Sequence, residues 1–291
     1  MIHRVISHNG RLLPIEEARL SPGQSGLFNG WGLFTTVRIV ERIPFAFGRH
    51  WKRLARDAER THCPFPFEEA SVRKQLSDVL RANDVREGCA RIYAISNRTG
   101  LWRSEENFPA ADLLICSADL PAYRDPVRLG LREHGRHAAS PLAGAKVTSW
   151  LTNVWCLEEA HHEGYDEVVL LNERGEVAEC TSANIFCVRA GRVATPPLDS
   201  GCLEGVTRSV LLEIGAGAAA PVEERTLFPE DLYAADEVFI SSTNRGVLAV
   251  AEIAGQETAA LPGHVTQKLE KAFAAYVREY IDARAVAPVK R

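Results

Sequence analysis

The stretch ECTSANIFCVRAGRVATPPLDSGCLEGVTR, Glu179–Arg208, is the most informative part of the chain. It begins with an acid, turns at Ala190-Gly191 between two short apolar runs, and then bends at two prolines. Beyond Gly205, apolar residues at helical spacing predict a helix that begins near Thr207. The first turn of a helix has unpaired N–H groups and the positive end of the dipole, which favour anions. The stretch therefore predicts an acid and an anion-binding helix end, joined by a hairpin.

Two further positions carry candidate functional side chains. Arg53 lies in RHWKRLARDAERTH, which has the spacing of an amphipathic helix, and basic residues there are ordinarily a solvated face. Lys146 is the single charged residue of AASPLAGAKVTSWLTNVWCL, residues 138–157. A lone lysine among apolar residues more often extends to water, whereas a desolvated amine becomes a nucleophile able to form a Schiff base. The residues alone leave both interpretations open.

These stretches together resemble the class IV aminotransferases, enzymes of fold type IV that use pyridoxal phosphate. The family signature is matched by Glu179, Asn184-Ile185-Phe186, Val193–Thr195 and Leu203–Arg208. HWKRL is similar to the family's H-x-x-R-L helix, and the A-K-x-x-[ST]-aromatic pattern at Lys146 is similar to that of its Schiff-base lysine. The family includes branched-chain and D-amino-acid aminotransferases and aminodeoxychorismate lyase.

The resemblance implies an α/β fold of the α+β type, with two α/β domains joined by a short linker. We expect a smaller N-terminal domain over residues 1–119. The linker is expected at 120–126, where two prolines stand in a polar setting. The larger C-terminal domain, 127–291, is expected to carry the Schiff-base lysine and the phosphate site.

The resemblance also implies which residues bind pyridoxal 5'-phosphate. The implied cofactor residues are Arg53, Lys146, Trp150, Glu179, Val206, Thr207, Ser242 and Thr243. Lys146 is the expected catalytic residue, and Glu179 is expected beside the pyridine nitrogen. Trp150 stands nearest to the position where many relatives have a tyrosine, and an indole can only donate a hydrogen bond. Ser242 and Thr243 could alternatively cap a loop.

Two residues are candidates for substrate contact. Phe34 occupies the aromatic position of a glycine-rich family strand, in which Trp31 replaces the usual aspartate. Arg103, in WRSEENFP, resembles a carboxylate-binding arginine of D-amino-acid aminotransferases. Glu105 replaces the usual histidine there and would repel a carboxylate, so an exposed loop arginine is an equal alternative.

The function implied by the resemblance is transfer of an amino group from an amino acid to a 2-oxo acid by a ping-pong mechanism. A branched-chain or D-amino-acid substrate ranks first. Aminodeoxychorismate lyase activity, which eliminates pyruvate and gives 4-aminobenzoate, ranks second. A non-enzymatic binding protein with the same fold is a third possibility. A dinucleotide enzyme is disfavoured because the glycines lack the G-x-G-x-x-G spacing.

Composition limits the other classes of function. A net charge of −4 over 291 residues, without a basic block, argues against nucleic acid or an anionic membrane as partner. No apolar run approaches the roughly twenty residues that span a bilayer, and no signal-peptide core is present. Seven scattered cysteines indicate reduced thiols and no metal site. We expect a cytoplasmic enzyme and, by resemblance, a homodimer.

Overall fold

The chain folds into two compact units. The computed structural model describes residues 1–21, 24–98, 109–259 and 261–285. The first unit comprises Met1–Pro121, Ala145–Trp150 and residues 280–285, and the second comprises Ala122–Gly144 and Leu151–Glu279. Both units contain a sheet and helices, so the predicted α/β class is confirmed.

This division differs from the predicted domains in two places. The first break, after Pro121, falls within the predicted linker 120–126. Lys146, however, groups with the first unit, although it was predicted in the C-terminal domain. The reason is local: the residues around Lys146 hydrogen-bond to a strand of the first unit. The residues from Tyr280 also return to the first unit, where the Tyr280 ring packs edge-on against Phe45 at 5.1 Å.

The first unit is built on a six-stranded antiparallel sheet. Its strands and helices are β1 (Val5–His8), β2 (Arg11–Pro14), α1 (Ser25–Phe28), β3 (Gly32–Val40), β4 (Ile43–Pro44), α2 (Phe47–Arg60), α3 (Glu69–Ala82), β5 (Gly88–Ser96) and β6 (Ala111–Ala118). The strand order is β2-β1-β6-β5-β3-β4. Asn9-Gly10 closes the β1–β2 hairpin with φ of 51° and 84°, as its sequence predicts. The return strand β4 is limited to Ile43 and Pro44, because α2 begins at Phe47.

Alternation along β3 separates its two faces. Leu33, Val37 and Ile39 belong to the apolar core that also contains residues of α2 and α3, such as Leu54 and Leu76. Residues two apart on a strand share a face, so Thr35 lies on this helix-covered side of β3 and Phe34 on the other. Phe34 and Thr35, although adjacent in the chain, therefore face opposite sides of the sheet.

The second unit contains a nine-stranded mixed sheet. Its strands and helices are β7 (Val127–Arg132), α4 (Leu151–His162), β8 (Glu167–Leu171), β9 (Val177–Cys180), β10 (Asn184–Arg189), β11 (Arg192–Thr195), α5 (Val206–Ile214), β12 (Val222–Glu224), α6 (Pro229–Tyr233), β13 (Glu237–Ser242), β14 (Gly246–Ile253), β15 (Gln256–Glu257) and α7 (His264–Ala285). The order is β12-β11-β10-β13-β14-β7-β8-β9, and β15 pairs with β14. Strand β7 runs parallel to both β14 and β8.

The informative stretch of the sequence lies within this second unit. It forms the end of β9, the β10–β11 hairpin, and the segment that leads into α5, as predicted. Phe186 on β10 stacks on Phe239 of β13 with ring centroids 4.6 Å apart, and both rings are fully buried. This packing fixes β10 in the middle of the sheet. In the part of the chain that the structure describes, no helix has the length and apolar character required to cross a membrane.

Candidate active site

Lys146 is held on the edge of β3. Leu33 and Val147 form an antiparallel bridge. The Phe34 amide donates to the Lys146 carbonyl at 3.1 Å, and the Thr148 amide donates to the Gly32 carbonyl at 2.9 Å. Since β5 pairs along the other edge of β3, the lysine segment adds to the sheet at this point. Two backbone hydrogen bonds therefore set the position of the Lys146 main chain.

Glycines make this close approach possible. A Cβ on Gly32 would lie 2.8 Å from Thr148 Oγ1 and 2.9 Å from the Ala94 carbonyl oxygen. Gly30 has φ of +64°, and a Cβ there would lie 2.7 Å from the Ser149 Cβ. The Thr148 hydroxyl also donates to the Gly30 carbonyl at 3.0 Å. The glycine-rich stretch therefore makes room for the lysine segment beside β3.

The Lys146 side chain lies against an aromatic wall. Lys146 is opposite Phe34 in the ladder, so both side chains are on one face, and Lys146 Nζ lies 4.5 Å from the Phe34 ring centroid. Trp150 meets Phe34 edge-on at 6.3 Å, and Tyr93 stacks on it at 5.8 Å. Lys146 is half-buried, so the amine is only partly desolvated. Cation–π attraction from Phe34 supports this position of the amine.

Arg53 is buried on the helix-covered side of β3. Arg53 is 7% exposed, and its Nη2 donates to Thr35 Oγ1 at 3.1 Å. The same Thr35 oxygen is 2.9 Å from His50 Nδ1. Burial, followed by the positive charges of Arg53 and Lys146, holds the pKa of His50 well below its usual value. His50 is therefore neutral, and Thr35 accepts from Arg53 while donating to His50.

Glu179 is a buried carboxylate with two fixed partners in the second unit. Arg136 Nε donates to Glu179 Oε1 at 2.9 Å, and the Leu203 amide donates to Oε2 at 3.1 Å. Arg136 is itself oriented by Asn153 Oδ1 at 3.0 Å. Glu179 is 7% exposed, so the ion pair lies in a region of reduced dielectric. This arrangement keeps a charged acid in one orientation.

The segment that binds Glu179 leads directly into α5. Gly205 precedes the helix, and a Cβ there would lie 2.0 Å from Asn184 Oδ1. Asn184 Nδ2 donates to the Leu203 carbonyl at 2.9 Å, which fixes the approach to the helix. No side chain among the described residues caps the start of α5, and Thr207 in its first turn is 3% exposed. The predicted helix start is confirmed within one residue, at Val206.

The turn between β13 and β14 carries the remaining predicted phosphate residues. The Arg245 amide donates to Ser242 Oγ at 3.2 Å, so Ser242 does cap the turn that contains Thr243. Arg245 Nη1 donates to Ser182 Oγ at 2.9 Å, and its Nη2 lies 3.2 Å from Glu167 Oε2. Glu167 and Arg245 are nearly buried, at 1% and 9% side-chain exposure. Arg245 thus joins this turn to the one that follows Glu179, through Ser182, and forms a buried ion pair with Glu167 of β8.

The structure groups the predicted residues into two sets. Lys146 and Trp150 each contact Phe34 in the first unit, which also contains Arg53. Glu179 is tied to the approach to α5 in the second unit, where Ser242 and Thr243 also lie. Arg103 lies outside the described residues.

Sequence reasoning missed the residues that orient these groups, namely Thr35, His50, Asp57, Arg136, Glu167 and Arg245. One signal was present: Asp57 follows Arg53 by four positions, on the same face of a helix. The sequence around Arg136 and Arg245 contains no comparable signal, because their partners are distant in the chain.

The residue types fit a phosphorylated aromatic cofactor. An uncapped helix start with a buried threonine hydroxyl suits a phosphate, and so does a buried guanidinium such as Arg53. A buried carboxylate paired with Arg136 suits a protonated ring nitrogen. A lysine on an aromatic wall suits attachment to an aldehyde.

Comparisons with known proteins agree with this chemistry. Residues 32–253 match the amino-transferase class IV family. The chain is 27% identical to a putative branched-chain-amino-acid aminotransferase of Methanocaldococcus jannaschii, over 91% of this chain and 93% of that protein. It is 25% identical to the aminodeoxychorismate lyase of Bacillus subtilis, over 94% of each chain.

A solved structure gives the same result for the fold. A branched-chain amino acid aminotransferase from T.th., solved with pyridoxamine 5'-phosphate, superposes with a TM-score of 0.86. The two chains are 27% identical, and the match covers 96% of this chain and 95% of the T.th. chain. The predicted fold type IV is thereby confirmed, and homologues in the family bind this cofactor. The chain belongs to the class IV aminotransferases, the pyridoxal-phosphate-dependent transaminase family.

Proposed function

We propose that this chain binds pyridoxal 5'-phosphate and transfers the amino group of a branched-chain amino acid to a 2-oxo acid. The observation that carries the proposal is the bond from the Leu203 amide to Glu179, 3.1 Å long. It ties a buried acid to the segment that opens α5, three residues before the helix begins. The second unit thereby holds the proposed partner of the ring nitrogen and the proposed phosphate site in fixed positions relative to each other.

Each residue has a defined task in this proposal. When bound, the cofactor supplies an electron sink for the carbanion that forms at the substrate Cα. Glu179 holds a proton on the ring nitrogen, and Arg136 holds Glu179 in place. Lys146 would hold the cofactor through its aldehyde and, as a free amine, would move the proton between the substrate Cα and the C4′ carbon of the cofactor.

The proposed phosphate ligands are donors of several kinds. Arg53 would donate as a guanidinium already oriented by Thr35. The amides of Val206 and Thr207, the Thr207 hydroxyl, and Thr243 would donate as well. Ser242 accepts the Arg245 amide and can still donate its own proton. Trp150 meets Phe34 edge-on and extends the aromatic wall beside Lys146.

Similarity to relatives supports the proposed substrate class. The branched-chain aminotransferases named above match nearly the whole chain, which supports a branched-chain amino acid as the donor. Lyase activity is the second candidate, favoured by the similarity to the Bacillus subtilis lyase over 94% of both chains. Both reactions require the same cofactor, lysine and acid.

The test is borohydride labelling followed by a panel of amino donors. Incubation with pyridoxal phosphate and reduction is expected to fix the label on Lys146, and K146A is expected to remain unlabelled there. K74A, which removes a lysine 77% exposed and paired with Asp78, is the matched control and should label as the wild type does.

The panel separates the candidate substrates. L-leucine alone is expected to discharge the visible absorbance of the bound cofactor, and 2-oxoglutarate added afterwards is expected to restore it. A response to D-alanine alone would assign a D-amino-acid enzyme. Pyruvate release from aminodeoxychorismate without a 2-oxo acid would assign the lyase. A wild-type chain that takes no label at Lys146 would refute the proposal.

We also propose a homodimer, on the basis of the apolar face of α4. Leu151, Val154 and Trp155 are spaced three and four residues apart and are 79%, 43% and 58% exposed. Light scattering is expected to give twice the mass of one chain for the wild type, and W155E is expected to shift the population toward one chain.

A further inference from the structure

Asp57 occupies an unusual place for a buried carboxylate. It lies on α2, four residues after Arg53, and its side chain is 1% exposed. Its Oδ1 accepts from Arg56, with Nη2 at 3.0 Å and Nε at 3.2 Å. Its Oδ2 accepts the backbone amide of Lys146 at 3.0 Å. A single buried side chain thus links the helix that carries Arg53 to the main chain of the lysine.

The ladder pattern explains what this bond does. Phe34 and Lys146 are opposite each other and adjoin the non-hydrogen-bonded pair Leu33–Val147. Because the two kinds of pair alternate along an antiparallel ladder, Phe34 and Lys146 are expected to exchange both N–H to C=O bonds. The Phe34 amide donates to the Lys146 carbonyl at 3.1 Å, in keeping with that pattern. The Lys146 amide, which a continued ladder would direct to the Phe34 carbonyl, donates to Asp57. Asp57 therefore ends the ladder at the lysine.

We propose that Asp57 is a positioning residue for Lys146. By accepting the Lys146 amide, its carboxylate fixes the direction in which the chain leaves β3 and hence the position of the lysine side chain over Phe34. The proposal rests on the proposed function, in which Lys146 binds the cofactor. A carboxylate suits the task because a charge-assisted bond is stronger than one between neutral groups.

Variants of Asp57 and Arg56 separate two effects: that of the Asp57 charge, and that of the hydrogen bond which Asp57 accepts from the Lys146 amide. Arg56 is 38% exposed and is a partner of Oδ1, away from the lysine. In D57N the remaining carbonyl oxygen can face the Lys146 amide while Arg56 turns to solvent. R56A, in contrast, leaves the carboxylate and its bond to Lys146 in place. Both variants are expected to retain the position of the lysine, whereas D57A loses it.

Asp112 provides a matched control within the same unit. It is also a buried carboxylate, 8% exposed, and it accepts from Asn9 Nδ2 at 2.6 Å and Gln24 Nε2 at 2.7 Å. These partners lie outside the lysine segment 145–150. D112A therefore measures the general effect of removing a buried carboxylate from the first unit.

The experiment has two readouts on the full chain. The first is hydrogen exchange at the Lys146 amide without added cofactor, which reports the bond directly. The second is the rate at which Lys146 acquires a borohydride-fixed label from pyridoxal phosphate. D57A is expected to exchange this amide faster and to label about ten- to hundredfold more slowly, the range expected for a lost bond to a charged group and a displaced reacting group.

The variants decide the outcome together. D57N and R56A are expected to label within about threefold of the wild type, because each keeps an acceptor for the Lys146 amide. D112A is expected to leave exchange at Lys146 unchanged. The proposal is overturned if D57A matches the wild type in both readouts, if D57N is as slow as D57A, or if D112A exposes the Lys146 amide equally. If the wild type takes no label, the proposed function fails, and the exchange measurement still tests the bond.

Discussion

The two units hold their site residues by different physical means. In the first, the lysine segment is fixed mainly by backbone contact with β3, which glycines permit. In the second, the acid and the adjoining turns are fixed by buried ion pairs, between Arg136 and Glu179 and between Arg245 and Glu167. Backbone contact places a flexible side chain at a chosen edge, whereas paired charges keep an ionised group in one orientation. In the proposed function, the lysine that binds the cofactor needs the backbone contact, and the acid beside the ring nitrogen needs the paired charges.

Among the variants that test this comparison, R245A is expected to have the largest effect on the free energy of unfolding. The change leaves Glu167 buried without its cation, although Thr181 and Ser182 still donate to it. Removing one partner of a buried pair costs about 3–5 kcal/mol, so we expect a loss of about 3 kcal/mol in the free energy of unfolding. Urea denaturation measures it as a lower midpoint at unchanged slope.

An exposed pair in the same unit is the control. Arg225 and Asp231 are 3.1 Å apart, and their side chains are 45% and 21% exposed. R225A is expected to cost at most about 1 kcal/mol, because solvent screens such pairs. The double variant R245A/E167Q should recover part of the loss. Equal effects of R245A and R225A would mean that buried pairing does not distinguish the second unit.

The second test applies to the first unit and compares two glycine substitutions. G32A places a Cβ 2.8 Å from Thr148 Oγ1 and 2.9 Å from a backbone oxygen, and overpacking of this kind costs about 1–3 kcal/mol. Because the contact is with the lysine segment, slower labelling of Lys146 is expected as well. Thermal unfolding and the borohydride label measure the two effects.

G48A is the matched substitution, and its expected effect on stability is opposite in sign to that of G32A. Gly48 lies in α2, and a Cβ there would meet nothing within 4 Å. Alanine favours a helix over glycine, so G48A is expected to stabilise the chain by up to about 1 kcal/mol. If G32A were as stable as G48A, the close approach of the backbone at Gly32 would not be what positions the lysine segment.

These contacts explain what the sequence could and could not predict. The helix near Gly205 and the hairpin after Glu179 follow from local patterns, the fold class is implied by the family resemblance, and all are present. Gly30 and Gly32 stood out in the sequence, but their role depends on a segment 118 positions away in the chain. Arg136 was missed for the same reason, since an ion pair is a property of the folded chain and leaves no periodic pattern in the sequence.

A further effect depends on pH and concerns His50, the neutral residue beside Arg53 in the first unit. His50 has a pKa well below its usual value because it is buried and because Arg53 and Lys146 are positive. Above about pH 6.5 the imidazole is neutral in both folded and unfolded chains. Below that pH the unfolded chain takes up a proton that the folded chain does not. The contribution of His50 to stability is therefore lost as the pH falls, by up to about 1.4 kcal/mol per pH unit.

H50N removes this dependence while keeping an oxygen that can accept from Thr35. The difference in free energy of unfolding between the wild type and H50N is expected to be constant above about pH 6.5 and to shrink below it. H162N, at a histidine 77% exposed, is the control and should give a curve parallel to the wild type. Parallel curves for H50N would instead show that His50 takes up its proton in the folded chain. In that case the imidazolium would donate to Thr35.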